Sequence, residues 1–548
     1  MNTKYIRHLL LRYLLVCTIL LFALSPFGGA LAEGPTTYVV NTVYDVDDGV
    51  CNKAHCSLRE AINLANVHPG ADTIEFKIRG GPPFTIQPSS ALPEITDPVT
   101  IDGTTQPGFH GNPIVELDGS NAGEGEPEVG ISGLVITAGS STVKGLVINR
   151  FSGEGILMTT NGGNTIQGNF VGTDVTGMLA LSNTLRGIHV AGGSSGNIIS
   201  GNLISGNARA GVLLTDTEGN QVQGNFIGTD INGTSPLAND VGVKIMGAAK
   251  NVIGGTEAGA RNLISGNAFY GVFIATEGTT GNIVQGNYIG TDVTGSIATI
   301  PAGPPVGEYT LTVMPETCPT YDAETDFDGF VSESNDPSAP WSGTSVHFFG
   351  SDVCIGREML GGASLIYRYK LEFAELTQLT SIAVSGANFN GPDNVLRVLD
   401  EHMNVLGIAP TFGQNEWSTT YIDLQGIEGT IFYIDEFDTS TTWRYRQSIT
   451  INEPIPLGNL ADGVFIAASD NLIAGNLISG NMWFGVEILD PDATGNTLQG
   501  NFIGTDASGS TALPNAYDGI LIGLGASDNL IGGVDEGEGN VISGNGGD

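Results

Sequence analysis

The stretch Gly281-Asn-Ile-Val-Gln-Gly-Asn-Tyr-Ile-Gly-Thr-Asp-Val-Thr-Gly295 decides the fold, because it returns almost letter for letter at 163–177, 219–233 and 495–509. Each copy sets Asn, an aliphatic residue and Gly at fixed offsets and closes on Gly-Thr-Asp. So short a segment cannot bury its own apolar side chains, so the copies must stack on one another. A second mark, Gly followed by alternating aliphatics, begins at Gly133, Gly155, Gly187, Gly211, Gly242, Gly271, Gly463, Gly485 and Gly519. Where nothing intervenes these glycines lie 22 to 34 residues apart, the length of one turn of a three-sided coil. The pattern predicts an all-β fold, a parallel β-helix solenoid. Nine coils about 4.8 Å apart would make a rod about 40 Å long.

Stacking assigns a task to each recurring residue. Ile, Val and Leu of successive coils form a dry core. Asn169, Asn202, Asn225, Asn287, Asn476 and Asn501 are expected at corners, accepting left-handed backbone geometry and bonding amide to amide between coils. Asp174, Asp230, Asp292 and Asp506 fit turn chemistry, since Asp bonds its own backbone. A calcium site at these carboxylates is the sharper alternative. It needs several converging oxygens, whereas each coil supplies one Asp. The reading is therefore no cofactor, with calcium kept as the alternative.

One step is too long. The motif starts are 56, 62 and then 214 residues apart, which leaves 152 to 158 residues extra. The composition changes at Pro301-Ala-Gly-Pro-Pro305 and returns at Pro454-Ile-Pro-Leu-Gly458. An inserted domain is thus expected over 302–455, between a first solenoid part (101–301) and a second (456–548). Alternating runs at 365–373, 395–399, 420–424, 430–435 and 445–451, separated by turn signals, predict an antiparallel β-sandwich, jelly-roll-like. The second part stops at Gly544-Asn-Gly-Gly-Asp548, inside a repeat, and reads as a fragment.

The 548 residues hold 80 Gly and only 14% charged residues, against about 25% in ordinary domains. Residues 1–32 read as a signal peptide: Lys4, Arg7 and Arg12, then an apolar run, then Ala30-Leu31-Ala32. An uncleaved anchor is the alternative, but the run is short for the ~20 residues a span needs. No transmembrane segment is expected after cleavage. Cleavage removes three bases and no acid, so the formal charge moves from −38 to −41. Such a chain should not bind nucleic acid, and anionic polymers are poor partners unless a local basic cleft exists. Cys51, Cys56, Cys318 and Cys354 remain, an even number in an exported chain; Cys51–Cys56 and Cys318–Cys354 are the natural pairs. Zinc is the alternative, with no Cys-x-x-Cys to support it.

Residues 33–100 form an N-terminal cap segment. Cys56-Ser-Leu-Arg-Glu-Ala-Ile-Asn-Leu-Ala-Asn66 reads as a short amphipathic helix with Ser57 and Glu60 at capping-box spacing, a plug for the open end of the stack. Arg59 and Glu60 are read as structural. Cys56-Ser-Leu-Arg-Glu-Ala61, Thr100-Ile-Asp-Gly-Thr-Thr-Gln-Pro-Gly108 and Gly145-Leu-Val-Ile-Asn-Arg150 together resemble the CSLREA-domain family of exported bacterial proteins. That family is similar to right-handed parallel β-helices of the pectin-lyase-like superfold. The resemblance implies a secreted or cell-surface role and transfers no catalytic residue.

Enzymes of that superfold process acidic polysaccharides, which takes basic groups to neutralise a uronate and move its proton. Residues 133–300 contain Lys144, Arg150, Arg186, Arg209, Lys244, Lys250 and Arg261, and 456–548 contain none. Arg186, Arg209 and His189 make the best cluster, which reads more simply as solvated turn residues. Hydrolase and epimerase motifs are absent. The residue between the two aliphatics of each coil points outward and varies: Leu157, His189, Leu213, Lys244, Phe273, Phe465, Glu487, Leu521. This strip, with His189, Lys244, Phe273 and Phe465 as its candidates, reads as a contact surface, for the insert among others. In the insert, Trp341, Trp417, Trp443 and Tyr445 are candidates to stack on sugars, against the plain reading of core aromatics. The sequence points to a non-enzymatic adhesion or glycan-binding element, recognising a polysaccharide or other cell-surface ligand chiefly through the insert. The alternative is a polysaccharide lyase, hydrolase or epimerase.

Overall fold

The computed structural model describes residues 34–126, 129–304, 309–313, 330–334, 343–348, 359–360, 363–388, 394–411, 417–438, 444–452 and 454–547. Residues 1–32, expected to be a signal peptide, and Cys318, Cys354, Trp341 and Trp443 lie outside them.

Three parallel sheets of 12, 11 and 9 strands wind around one core. The first runs from Thr37–Val40 to Leu530–Ile531, the second from Phe84–Ile86 to Val541–Ile542, and the third from Leu134–Ile136 to Ile520–Gly523. Twelve strands span roughly 50 Å. The rod is longer than nine coils because the N-terminal segment is already solenoid: Thr37–Val40, Asp72–Phe76 and Val99–Asp102 are its first strands. Helix α1 (Leu58–Val67) closes that end. Ser57 accepts from the Glu60 amide at 3.1 Å, and Glu60 accepts from the Ser57 amide at 2.8 Å. Leu58, Ala61, Ile62 and Ala65 enter the core. Arg59 grips Asp45 through two bonds of 2.8 and 2.9 Å, a structural ion pair. Cys51 and Cys56 are disulfide-bonded.

Three ladders of asparagine amides hold the corners, running from Asn164 to Asn529, from Asn169 to Asn540 and from Asn183 to Asn545. Each Nδ2 donates to the Oδ1 of the next coil, as from Asn169 to Asn202 at 3.1 Å and from Asn207 to Asn239 at 2.9 Å. The left-handed backbone expected at these asparagines falls instead on the glycine before them, as at Gly168 (φ 63°) and Gly286 (φ 70°). The division is physical: glycine tolerates positive φ, which leaves the amide free to bond along the axis.

The ladders cross the insert without a break. Asn282 donates to Asn471, Asn287 to Asn476, and Asn267 to Asn459. Val272–Ala275 pairs in register with Val464–Ala467. The insert leaves and returns where Thr299–Ile300 pairs antiparallel with Ile455–Pro456. It is a nine-stranded antiparallel array with two long bulged strands, Ala363–Asn388 and Trp417–Asp438. Its own core includes Leu371, Leu379, Ile382, Val398, Phe432 and Ile434. Buried Asp435 is held between Arg368 and Arg397.

Among the described residues the insert's contact is with the Gly-Thr-Asp loops, where Ser235 Oγ donates to Asp423 Oδ2 at 2.6 Å beside Pro236, Leu237 and Ile422. In those loops the aspartates serve the turn: Asp230 Oδ1 accepts from the amides of Thr234 and Ser235 at 2.8 and 3.0 Å. Asp292 and Asp506 repeat the arrangement.

Candidate functional site

The third sheet turns one face outward, and three columns of side chains run along it. The strands themselves supply the first, in register: Leu157, His189, Leu213, Lys244, Phe273, Phe465, Glu487, Leu521. The residue before each coil-start glycine supplies the second, including Glu154, Arg186, Tyr270, Asp462 and Phe484. Its register follows from bonds such as Gly155 N to Arg186 O and Gly271 N to Asp462 O. The residue before that supplies the third, including Arg209, Asp240, Phe269, Trp483 and Tyr517, linked as Asp240 N to Arg209 O and Tyr517 N to Trp483 O. The glycines are required by space. A Cβ on Gly271 would lie 2.6 Å from the Gly463 oxygen and 2.7 Å from Asn459 Nδ2.

The four strip residues named from sequence therefore share one column, and their surroundings divide it. At the middle, Phe273 and Phe465 stack at 5.0 Å with planes 10° apart, and Tyr270 leans on both at 5.3 Å. Lys244 Nζ lies 5.0 Å above the Phe273 ring, a cation–π contact. Farther along, Phe484 and Tyr517 lie 5.6 Å apart, with Trp483 and Tyr517 about half exposed.

Toward the N-terminal end the face is charged. Arg186, His189 and Ser132 converge on Glu154, at 3.2, 3.2 and 3.0 Å. Burial pushes the Glu154 carboxyl up, but the His189, Ser132 and Arg186 contacts outweigh it and hold it below the usual range. These are not solvated turn residues, as the sequence suggested: Glu154 is buried, and His189 Nε2 is buried without a hydrogen-bond partner. Arg209 Nε is in the same condition. Burial raises the Asp240 carboxyl, with Lys244 and Arg209 pulling it back.

Beyond the aromatic rings sit two carboxyls. Asp462 is fully buried, its Oδ1 accepting from the Phe484 amide at 3.0 Å while Oδ2 meets no donor. Burial pushes this carboxyl up to about 8; the Phe484 amide opposes the shift, and the neighbouring Glu487 carboxyl adds to it. Glu154, Asp240, Tyr270, Asp462 and Trp483 were missed from sequence, although their position one or two residues before each coil-start glycine was available as a signal.

Only the backbones of Trp417 and Tyr445 are described, paired with Ala387 from opposite sides. The carboxylate and imidazole cluster Asp48, His55 and Glu60 lies at the cap, where Glu60 oxygens already accept from the amides of Ser57 and Asp48 at 2.8 and 3.0 Å. Among the described residues no helix is long and apolar enough to cross a membrane.

Residues 126–235 and 173–299 match the family described as periplasmic copper-binding protein NosD. Copper sites draw on imidazole, thiolate and thioether ligands. The matched stretch has one histidine, His189, whose Nδ1 is taken by Glu154, no cysteine, and three methionines set apart: Met158 sealed in the core, Met178 in a Gly-Thr-Asp loop beside Asn232, and Met246 at the end of a third-sheet strand. These residues do not fit copper. No curated protein sequence matches the chain. An alginate lyase from Paenibacillus sp. str. FPU-7 is similar over 46% of this chain and 86% of its own, at 17% identity and a TM-score of 0.25. A family 29 carbohydrate-binding module complexed with cellulohexaose is similar over 28% and 93%, at 14% identity and a TM-score of 0.14. With the NosD match and its own parallel sheets, the chain is a β-helix protein carrying an antiparallel insert.

Proposed function

We propose that this is an exported, non-enzymatic glycan-binding protein of the CSLREA type, secreted or held at the cell surface, and that its recognition surface is the outward face of the third sheet. The observation that carries this reading is the ring platform of Tyr270, Phe273 and Phe465, extended by Trp483 and Tyr517. Sugar rings present apolar C–H faces that stack on such rings, and successive coils about 4.8 Å apart offer one contact per sugar along the rod axis. The insert, with Trp417 and Tyr445, is the second recognition element in this reading.

The processing-enzyme alternative would draw on Asp462 and Glu487. Both are buried, whereas glycosidase carboxylates must reach the sugar from either side of the scissile bond. Retention of the full chain on immobilised neutral and acidic polysaccharides tests the proposal. Retention with no soluble product is expected. Released oligosaccharide would convert the reading to the enzymatic one, and no retention would end it.

A further inference from the structure

The protein carries a formal charge of −38, yet its cations are unevenly used. Along the rod Lys144 pairs with Asp102, Arg150 with Asp118, Arg186 with Glu154 and Lys250 with Glu218, at 2.8 to 3.2 Å. Arg261 lies 3.9 Å over the Tyr288 ring. Lys53, Lys77 and Arg79 near the cap close no contact ion pair among the described residues, and on the outward face neither do Arg209 and Lys244; Lys244 meets the Phe273 ring, and Arg209 Nε is buried with no hydrogen bond. His189 Nε2 is likewise buried and unbonded, while its Nδ1 is fixed on Glu154. A buried donor without a partner costs about 1–3 kcal/mol. That donor at Arg209, on one face with the Lys244 ammonium that no carboxylate contacts among the described residues, marks a place where an acceptor belongs.

We propose that Arg209 and Lys244, beside His189, form an anion subsite next to the ring platform, so that the glycan taken by this face bears a carboxylate or sulfate. This rests on the glycan-binding reading and adds the ligand's charge to it. Lys244 is the register neighbour of both Phe273 and Leu213, and Leu213 of His189. The subsite therefore continues the column of stacked rings rather than standing apart from it. Two acids face the subsite. Glu154 is already occupied by Arg186, Ser132 and the His189 Nδ1 side. Asp240 lies near both Lys244 and Arg209, and its burial disfavours the charged form. Leu157 and Leu213 wall the imidazole, lowering the local dielectric and strengthening any charge-assisted bond.

The test titrates the full chain with polygalacturonate, dextran sulfate and a neutral gluco-oligosaccharide at low and moderate salt. The wild type should bind an anionic glycan more tightly than the neutral one, and salt should narrow the gap. The double variant Arg209→Ala with Lys244→Ala should lose about tenfold or more of the anionic affinity and a clearly smaller factor of the neutral affinity, with its cooperative unfolding transition reporting that it is folded. The variant pair Arg209→Lys with Lys244→Arg should recover most of the loss. Preference between the two polymers tells carboxylate from sulfate. Neutral binding without any anionic preference overturns the subsite and leaves the glycan reading standing. Equal loss of both ligands in the double variant also overturns it, and a wild type that binds none of the three overturns both.

Discussion

Two sets of columns run side by side along the same rod. The corner columns repeat one residue, Asn, at coil after coil, with the same bond of 2.8 to 3.2 Å each time. The outward columns of the third sheet vary: along one register line an imidazole, a leucine, an ammonium, two stacked rings and a carboxylate follow one another. The difference teaches where to look in a solenoid. What recurs is demanded by the coil, whereas positions the coil leaves free are available for recognition.

Substitutions should separate the two sets. Asn287→Ala removes the acceptor of the Asn262 amides and the donor to Ile253 O and Asn476. Several buried groups lose partners at once, so a loss of about 3 kcal/mol or more is expected in chemical denaturation. A cost under about 1 kcal/mol would remove the ladder from the account. Gly271→Ala places a methyl group against backbone and a ladder amide and should cost about 2 kcal/mol by the same measurement.

The acid pair tests the boundary between the sets. Folded Asp462 keeps a proton to about pH 8 that the unfolded chain releases near 3.8. The stability this proton supplies is present in full below 3.8 and is lost as pH rises to about 8. Melting temperature should fall across that window. In Asp462→Asn, which retains the acceptor for Phe484 and cannot ionise, the fall should flatten, and an unchanged slope would mean that Asp462 does not carry the raised proton. The smallest stability effect belongs to the outward column. Phe273→Ala should cost about 1 kcal/mol, the scale of an aromatic contact, while weakening glycan binding.

The solenoid was legible because each coil repeats its own constraints, and the long step between Gly281 and Gly495 exposed the insert. The cap helix was legible from Ser57 and Glu60, a local device. Three features were not. The N-terminal strands look unlike the repeat, since Thr37–Val40 and Asp72–Phe76 lack its glycines and asparagines. The left-handed corners were given to Asn when the preceding Gly takes them, because both residue types tolerate that geometry. The site was half visible. His189, Lys244, Phe273 and Phe465 stood out by alternation, but Glu154, Asp240, Tyr270 and Asp462 precede the strands, and only the stacking of coils brings them onto the same face.

The central claim is that the variable face binds and the uniform corners only hold. The most direct measurement is glycan affinity of the full chain beside that of the triple variant Tyr270→Ala, Phe273→Ala, Phe465→Ala, with denaturation of both. The account predicts binding reduced by more than about tenfold with the cooperative unfolding transition kept. Undiminished binding by the folded triple variant would contradict it.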